Sequence, residues 1–306
     1  MTTYVLRRLI MLIPILIGVS FLTFAIIQIT PGDPARIMLG MRATPEKVAE
    51  IHKAMHLDDP FFLQYGRYVW NALHGDLGRS IRGDIDVLQD ILSRFPSTLQ
   101  LTLGAMVVEV LLGVTAGIIA ATAKSRVVDG ATMFSALVAL SIPDFWLAII
   151  LILIFGLQLG WVSVTGGPGL KNLILPAFCL GLGPAAVLAR LTRSSILEVA
   201  QEDYVRTARA KGLKEKVVIL RHILRNALIP VTTVFGLEFA GLLGGAVFIE
   251  NVFARPGLGR FAINAINTRD FPQIQGMVLF TAVVYALLNL LVDILYSVID
   301  PRIRYD

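Results

Sequence analysis

Apolar residues in this chain of 306 residues gather in long blocks rather than at the alternating spacing of strands or the striped spacing of surface helices. A helix needs roughly 20 mostly apolar residues to cross a hydrocarbon core, and six blocks reach about that length. They cover residues 9–32; 97–123, interrupted only by Glu109; 131–159, with Pro143 and Asp144 near the middle; 172–189, with Pro176 and Pro184; 226–249, with Glu238; and 271–299, with Asp293 near the end. The pattern predicts an all-α membrane protein with six transmembrane helices. Small residues at 241–246 favour close helix packing in the fifth.

Three parts follow from this spacing: 1–32, the tail and first span; 33–96, a polar insert; and 97–306, a core of five spans. The insert reads as a small helical cap. It opens with the turn Pro31-Gly32-Asp33-Pro34, and Thr44 is placed to N-cap a helix with Pro45 at its first position. Val48, Ile51 and Met55 share a face of that helix. A second apolar cluster, Phe61, Phe62, Tyr65, Tyr68, Val69 and Trp70, is expected to pack on that face as a compact lid.

Composition agrees, since 56% of residues are hydrophobic and 16% charged, against about 25% charged in an average soluble domain. Mean hydropathy is +0.73. Arg7-Arg8, Lys124 with Arg126, the basic segment 190–225, and Arg302 with Arg304 fall on one side of the predicted spans. Loops rich in Lys and Arg stay cytoplasmic, so both termini are expected inside and 33–96 outside. The first apolar run is longer than a secretory leader and lacks a small-residue cleavage site near its end, so an uncleaved span is expected. The net charge of +5 reflects this topology rather than nucleic-acid binding.

Catalytic signatures are missing. Gly166-Gly167-Pro168-Gly169-Leu170-Lys171 lacks the spacing and hydroxyl of a phosphate-cradling loop, and no nucleophile elbow or triad grouping stands out. Cys179, the one cysteine, lies within the fourth span, which excludes an intrachain disulfide. His52 and His56 stand four apart on a helix. With no third ligand nearby they read as a solvated face, and no metal site is expected.

Ionised groups at mid-bilayer cost at least about 2.5 kcal/mol on insertion scales. Glu109, Asp144 and Glu238 are therefore candidates to line a translocation path, Asp144 above all because Pro143 interrupts its helix. A buried structural hydrogen bond is the competing reading, and a proton relay in a secondary carrier is another.

The basic segment 190–225 carries the most specific pattern. Tyr204, Val205 and Ala208 share one helical face, whereas Arg206, Thr207, Arg209 and Lys211 lie elsewhere around the turn, with the three basic residues outward. Gly212 is placed to end the helix in a left-handed conformation, and Val217, Val218, Ile219 and Leu220 begin a second, apolar helix. A helix, a bend and a helix suit docking of a cytoplasmic partner, with anionic lipid as the alternative surface.

DYVRTARAKGLKEKVVILRHILRNALIP at 203–230 resembles the cytoplasmic loop of ABC-importer permeases of the dipeptide/oligopeptide/nickel branch. So do TPGDPAR at 30–36, SIPDFWL at 141–147, ARLTRSS at 189–195, NVFARPGLGR at 251–260 and DPRIRY at 300–305, in that order along nearly the whole chain. The wider family reads E-A-A, three residues, glycine, nine residues, then I-x-L-P; here Ala208, Gly212 and Leu224 fit, while Arg206, Thr207, His222 and Arg225 depart. The resemblance implies a permease half-channel importing di- or oligopeptides, with glutathione, nickel chelates or oligosaccharides as neighbouring substrates. It also implies a second homologous permease, two cytoplasmic ATPase subunits or domains and an external solute-binding protein, in a bacterial inner membrane. The chain itself is then non-catalytic and holds no cofactor. ATP and Mg belong to the partner ATPases, which 203–212 would couple to the pore.

Overall fold

Backbone groups in hydrocarbon have no water to bond, so a chain this apolar closes its hydrogen bonds within helices. The computed structural model describes residues 2–29, 32–39, 43–54, 56–162 and 169–299. Among these the only non-helical pairing is an isolated bridge between Arg79 and Asp86. The TPGDPAR turn at Thr30 and Pro31, Met55, the Gly166–Pro168 stretch and the DPRIRY end with Arg302 and Arg304 lie outside the described residues.

The helices are α1 (Thr2–Ile29), α2 (Pro34–Leu39), α3 (Pro45–Ala54), α4 (Phe61–Leu73), α5 (Val87–Thr122), α6 (Arg126–Ser141), α7 (Asp144–Leu151), α8 (Lys171–Val199), α9 (Asp203–Ala210), α10 (Glu215–Val217), α11 (Leu224–Val252), α12 (Leu258–Thr268) and α13 (Phe271–Ile299). π-Helical segments continue α7 through Ile152–Gln158 and join α10 to α11 through Val218–Ile223. Among the described residues five helices are long and apolar enough to span a membrane, and a bent pair, taken as one span, makes a sixth.

That pair is the third expected span. Pro143 lacks an N–H and forces Ile142 into extended backbone (φ −84°, ψ 122°). The chain restarts as α7 at 96° to α6, so this span is broken rather than straight. Two others outrun their apolar blocks. α5 begins at Val87, where the Asp86 carboxylate accepts the Gln89 N–H at 2.8 Å and Val87 and Ile91 are fully buried. α8 runs ten residues past Ala189, to Val199, because Thr192, Ser195 and Ile196 are buried there.

The chain folds as two compact units, Met1–Pro96 with Arg260–Leu290 and Ser97–Gly259 with Leu291–Asp306. The first unit thus joins residues 1–32 to the insert up to Pro96 and adds 260–290. In the first unit, Phe61, Tyr65 and Tyr68 of α4 pack on Phe21 and Phe24 of α1; of the α3 face that the lid reading set against them, Met55 and the Ile51 side chain lie outside what is described. Ser80 Oγ donates to Asp270 at 2.5 Å and the Ile81 N–H to the same carboxylate at 3.1 Å.

In the second unit, α8 packs most extensively on α11 and then on α6. A Cβ at Gly181 would overlap the Ala105 carbonyl, and one at Gly117 would overlap Thr192. The missing side chains thus let α5 and α8 meet backbone to backbone. Leu101, Ala105, Cys179, Leu180, Leu242 and Ile249 form the core of this bundle.

Candidate coupling site

The basic hairpin is built on a buried apolar socket. Val205 and Ala208, three apart and so on one side of α9, are 0% and 5% exposed. They pack with Ile196 from α8, Val218 and Ile223 from the π-helical segment, and Leu224 and Ala227 from α11, against Ile118 and Ala121 at the end of α5. Three spanning helices therefore grip one short helix. Burying a side chain of this size stabilises by about 1.5–3 kcal/mol.

Gly212 ends the turn at φ +75° with open space around it, after its N–H donates to the Arg209 carbonyl at 2.9 Å. This is the left-handed stop expected from the sequence. Tyr204 differs from expectation: it is 41% exposed, and its hydroxyl accepts from Asn226 Nδ2 at 2.8 Å, tying α9 to α11. Arg209 also differs. Its guanidinium donates to both Glu215 oxygens, at 3.2 and 2.8 Å, and to the Ala200 carbonyl at 3.3 Å, so its charge closes the hairpin internally. Arg206, with only a 3.5 Å contact to Asp203, Thr207 and Lys211 are exposed and define the outward face.

The intramembrane acids fall in two places. Glu109 on α5 is fully enclosed, its oxygens without hydrogen-bond partners among the described residues. Asp144 is exposed at the first residue of α7, beside Gly183 and Cys179. Glu238 is half-buried next to Gly241. Asp293 is half-buried near the end of α13.

Other polar constellations were not anticipated. Glu250, 0% exposed, accepts from Thr98 Oγ1 at 2.5 Å and from the Gly259 N–H at 2.7 Å, and Thr98 in turn accepts the Leu258 N–H at 2.8 Å. A side chain at Gly257 would collide with this carboxylate, and one at Gly259 with Val247. Nearby Arg255 donates to the Asn172 carbonyl at 3.3 Å and to Ser97 Oγ at 3.4 Å. The sequence carries a signal for it: an acid ends an apolar span just before NVFARPGLGR, whose first glycine makes room for it. Arg193 forks onto Asp129 through two 2.6 Å bonds, clamping α8 to α6. His52, read as solvated, sits between Asp33 at 2.9 Å and Asp58 at 2.8 Å. No group of three or more metal-type side chains gathers among the described residues.

Comparison with known proteins gives this architecture its place. Residues 113–305 match the family described as binding-protein-dependent transport system inner membrane component, and residues 1–102 match its N-terminal family. The chain is 43% identical to the dipeptide transport system permease protein DppB of Alkalihalophilus pseudofirmus. It is 44% identical to the glutathione transport system permease protein GsiC of Escherichia coli K12, with all of both chains covered in each case. An inward-facing MetNI methionine ABC transporter structure aligns with a TM-score of 0.60 at 16% identity, over 69% of this chain and 97% of the other. An amino acid ABC transporter aligns with a TM-score of 0.53 at 19% identity, over 70% and 94%. These two likenesses establish the fold. Permeases of this kind work with ATPase and solute-binding partners, and the chain belongs to the binding-protein-dependent inner membrane component family as a multi-pass permease subunit of an ATP-driven ABC importer.

Proposed function

We propose that this permease imports di- or oligopeptides, glutathione included, as one half of a channel completed by a second homologous permease. Two cytoplasmic ATPase subunits or domains drive it, and an external solute-binding protein delivers the substrate. Full-length identity above 40% to both a dipeptide and a glutathione permease supports that substrate class, since glutathione is itself a small peptide. The basic hairpin, Arg7-Arg8 and both termini face the cytoplasm in this reading, as the Lys/Arg bias requires.

The observation that carries the mechanism is the socket beneath α9, where Val205 and Ala208 are locked against the ends of α5, α8 and α11. A displacement of α9 by an ATPase then moves those ends as a body. The Arg193–Asp129 fork passes the motion to α6, and the break at Pro143 lets α7 move separately. Asp144 stands at that break, and we place it beside the substrate path, with Glu238 and enclosed Glu109 behind it. The nucleotide and Mg stay in the ATPases. This chain transmits their work.

The test is uptake of a labelled dipeptide into proteoliposomes holding the whole importer. ATP-dependent uptake, competed by unlabelled dipeptide and by glutathione, is expected. Uptake that follows a proton gradient without ATPase subunits would overturn the reading.

A further inference from the structure

Helix α4 is fastened to α1 well inside the apolar stretch of that helix. The Tyr65 hydroxyl meets Ser20 Oγ at 2.9 Å and the Ile17 carbonyl at 3.3 Å. Phe24 packs against Phe61, Tyr65 and Tyr68, with ring centroids 5.3, 5.7 and 5.7 Å away. Helix α1 ends at Ile29. At a rise of about 1.5 Å per residue, Phe24 and Ser20 lie roughly 8 and 14 Å inside that end. Amphipathic helices that lie in a membrane surface sit about 5–10 Å into the headgroup and acyl boundary; the Phe24 contacts fall within that range, and the Tyr65 hydroxyl reaches below it to Ser20 and Ile17.

The rest of α4 fits the same place. At about 100° per residue, Phe61, Tyr65 and Tyr68 point to α1, and two further sectors remain. One holds Phe62, Trp70 and Leu73, which are 77%, 65% and 77% exposed. The other holds Arg67 and Asn71, with Arg67 paired to Asp59 at 2.6 Å. On α1 itself Leu22 and Ile26 are exposed as well, as expected of a spanning helix whose other sides face hydrocarbon. Tryptophan favours the depth at which such a surface meets headgroups.

We propose that α4 is an interfacial membrane helix whose Phe62, Trp70 and Leu73 face is covered by phospholipid. Its ligand is the lipid surface itself, with acyl chains against Phe62 and Leu73 and the indole of Trp70 at the headgroup boundary. The segment after α4 is tied by Ser80 to Asp270, just before α13. Lipid contact therefore sets the height of the insert and, through it, of the turn between α12 and α13.

Cys179 is the only cysteine and is buried, which makes site-directed labelling direct. In a Cys179→Ala background, nitroxides are placed at Phe62→Cys, Trp70→Cys, Leu73→Cys and, as the polar-sector control, Asn71→Cys. The complete importer is then reconstituted in phosphatidylcholine and phosphatidylglycerol liposomes. Labels at 62, 70 and 73 are expected to collide several-fold more with oxygen than with water-soluble chromium oxalate, and the label at 71 is expected to show the reverse. Chromium oxalate access at 62, 70 and 73 equal to that at 71 would place the face in water and overturn the proposal. Shielding from both reagents with an immobilised spectrum would overturn it too, by placing protein there. Retained substrate-stimulated ATPase activity identifies folded variants. If Trp70→Cys does not assemble, Leu73→Cys at the helix end carries the test.

Discussion

At Gly212 one dihedral angle decides how the hairpin turns. Its φ of +75° is disfavoured for side chains, yet nothing crowds the position, so a substitution meets backbone strain alone. Gly212→Val is expected to cost about 1–2 kcal/mol locally and to lower substrate-stimulated ATP hydrolysis several-fold while the protein still inserts. Gly212→Asn, which tolerates positive φ, retains most activity. ATPase assays on the purified importer check both. Glu250 acts through burial instead. Removing its carboxylate strands the Thr98 hydroxyl and the Gly259 N–H, so Glu250→Ala is expected to destabilise by about 3 kcal/mol. Glu250→Gln keeps an acceptor and loses less. Thermal unfolding of the detergent-solubilised complex separates the two.

Between elements, short polar links decide which helices hold together. His52 bridges the turn before α2 to the end of α3, both ring nitrogens facing carboxylates, an arrangement the doubly protonated ring satisfies by donating twice. The Asp58 bond, then the Asp33 bond, raise the His52 pKa above its ordinary 6.5, against a smaller opposing effect of burial. Burial pushes Asp33 up, but the His52 bond, the Ala35 N–H and the His52 charge together bring it below 3.8. A raised histidine stabilises fully below its unfolded value and ceases to as pH rises through its folded value; a lowered aspartate stabilises above its unfolded value and fails in acid. Amide-exchange protection across α3 is therefore expected to fall as pH rises through the raised His52 pKa. The dependence should disappear in His52→Gln. Within the hairpin, Arg209→Glu is expected to disturb the turn and to be rescued by Glu215→Arg. That exposed pair is worth about 1 kcal/mol or less. Arg206→Glu with Lys211→Glu leaves the turn intact and is expected to reduce copurification of the ATPase subunits at moderate salt, with no rescue from Glu215→Arg.

For the whole molecule, the candidate coupling hairpin and the insert at 33–96 belong to different compact units. The second unit contains the hairpin, its socket and the clamps Arg193–Asp129 and Glu250–Thr98, so a push at α9 meets a body with few soft joints. Its main discontinuity is the 96° break at Pro143, which leaves Asp144 at a helix start rather than within one. The first unit contains the insert and the α12–α13 turn, joined by Ser80 and Asp270. Shifting a two-state equilibrium from 1:99 to 99:1 takes about 5.5 kcal/mol. The chain belongs to a family of binding-protein-dependent permeases, so the transport assay contains the ATPases proposed to supply that energy.

Residue order alone determined the number of spans, the hairpin at 203–212 and the left-handed stop at Gly212, because these follow from local rules: apolar length, backbone satisfaction within a helix, and glycine's missing Cβ. It also carried the family resemblance. Partners remained illegible where they lie far apart in the chain. Glu250 meets Thr98 across 152 residues and Arg193 meets Asp129 across 64, and neither pairing leaves a periodic trace. The aromatic cluster of α4 is visible in the sequence, yet its packing on α1 depended on the facing rings of Phe21 and Phe24. Helix ends at Val87 and Val199 ran past the apolar blocks because capping and packing, not hydropathy, set where a helix stops. Only the folded arrangement could turn Arg209 inward to Glu215, since a charge is outward or paired according to what tertiary contacts bring within its reach.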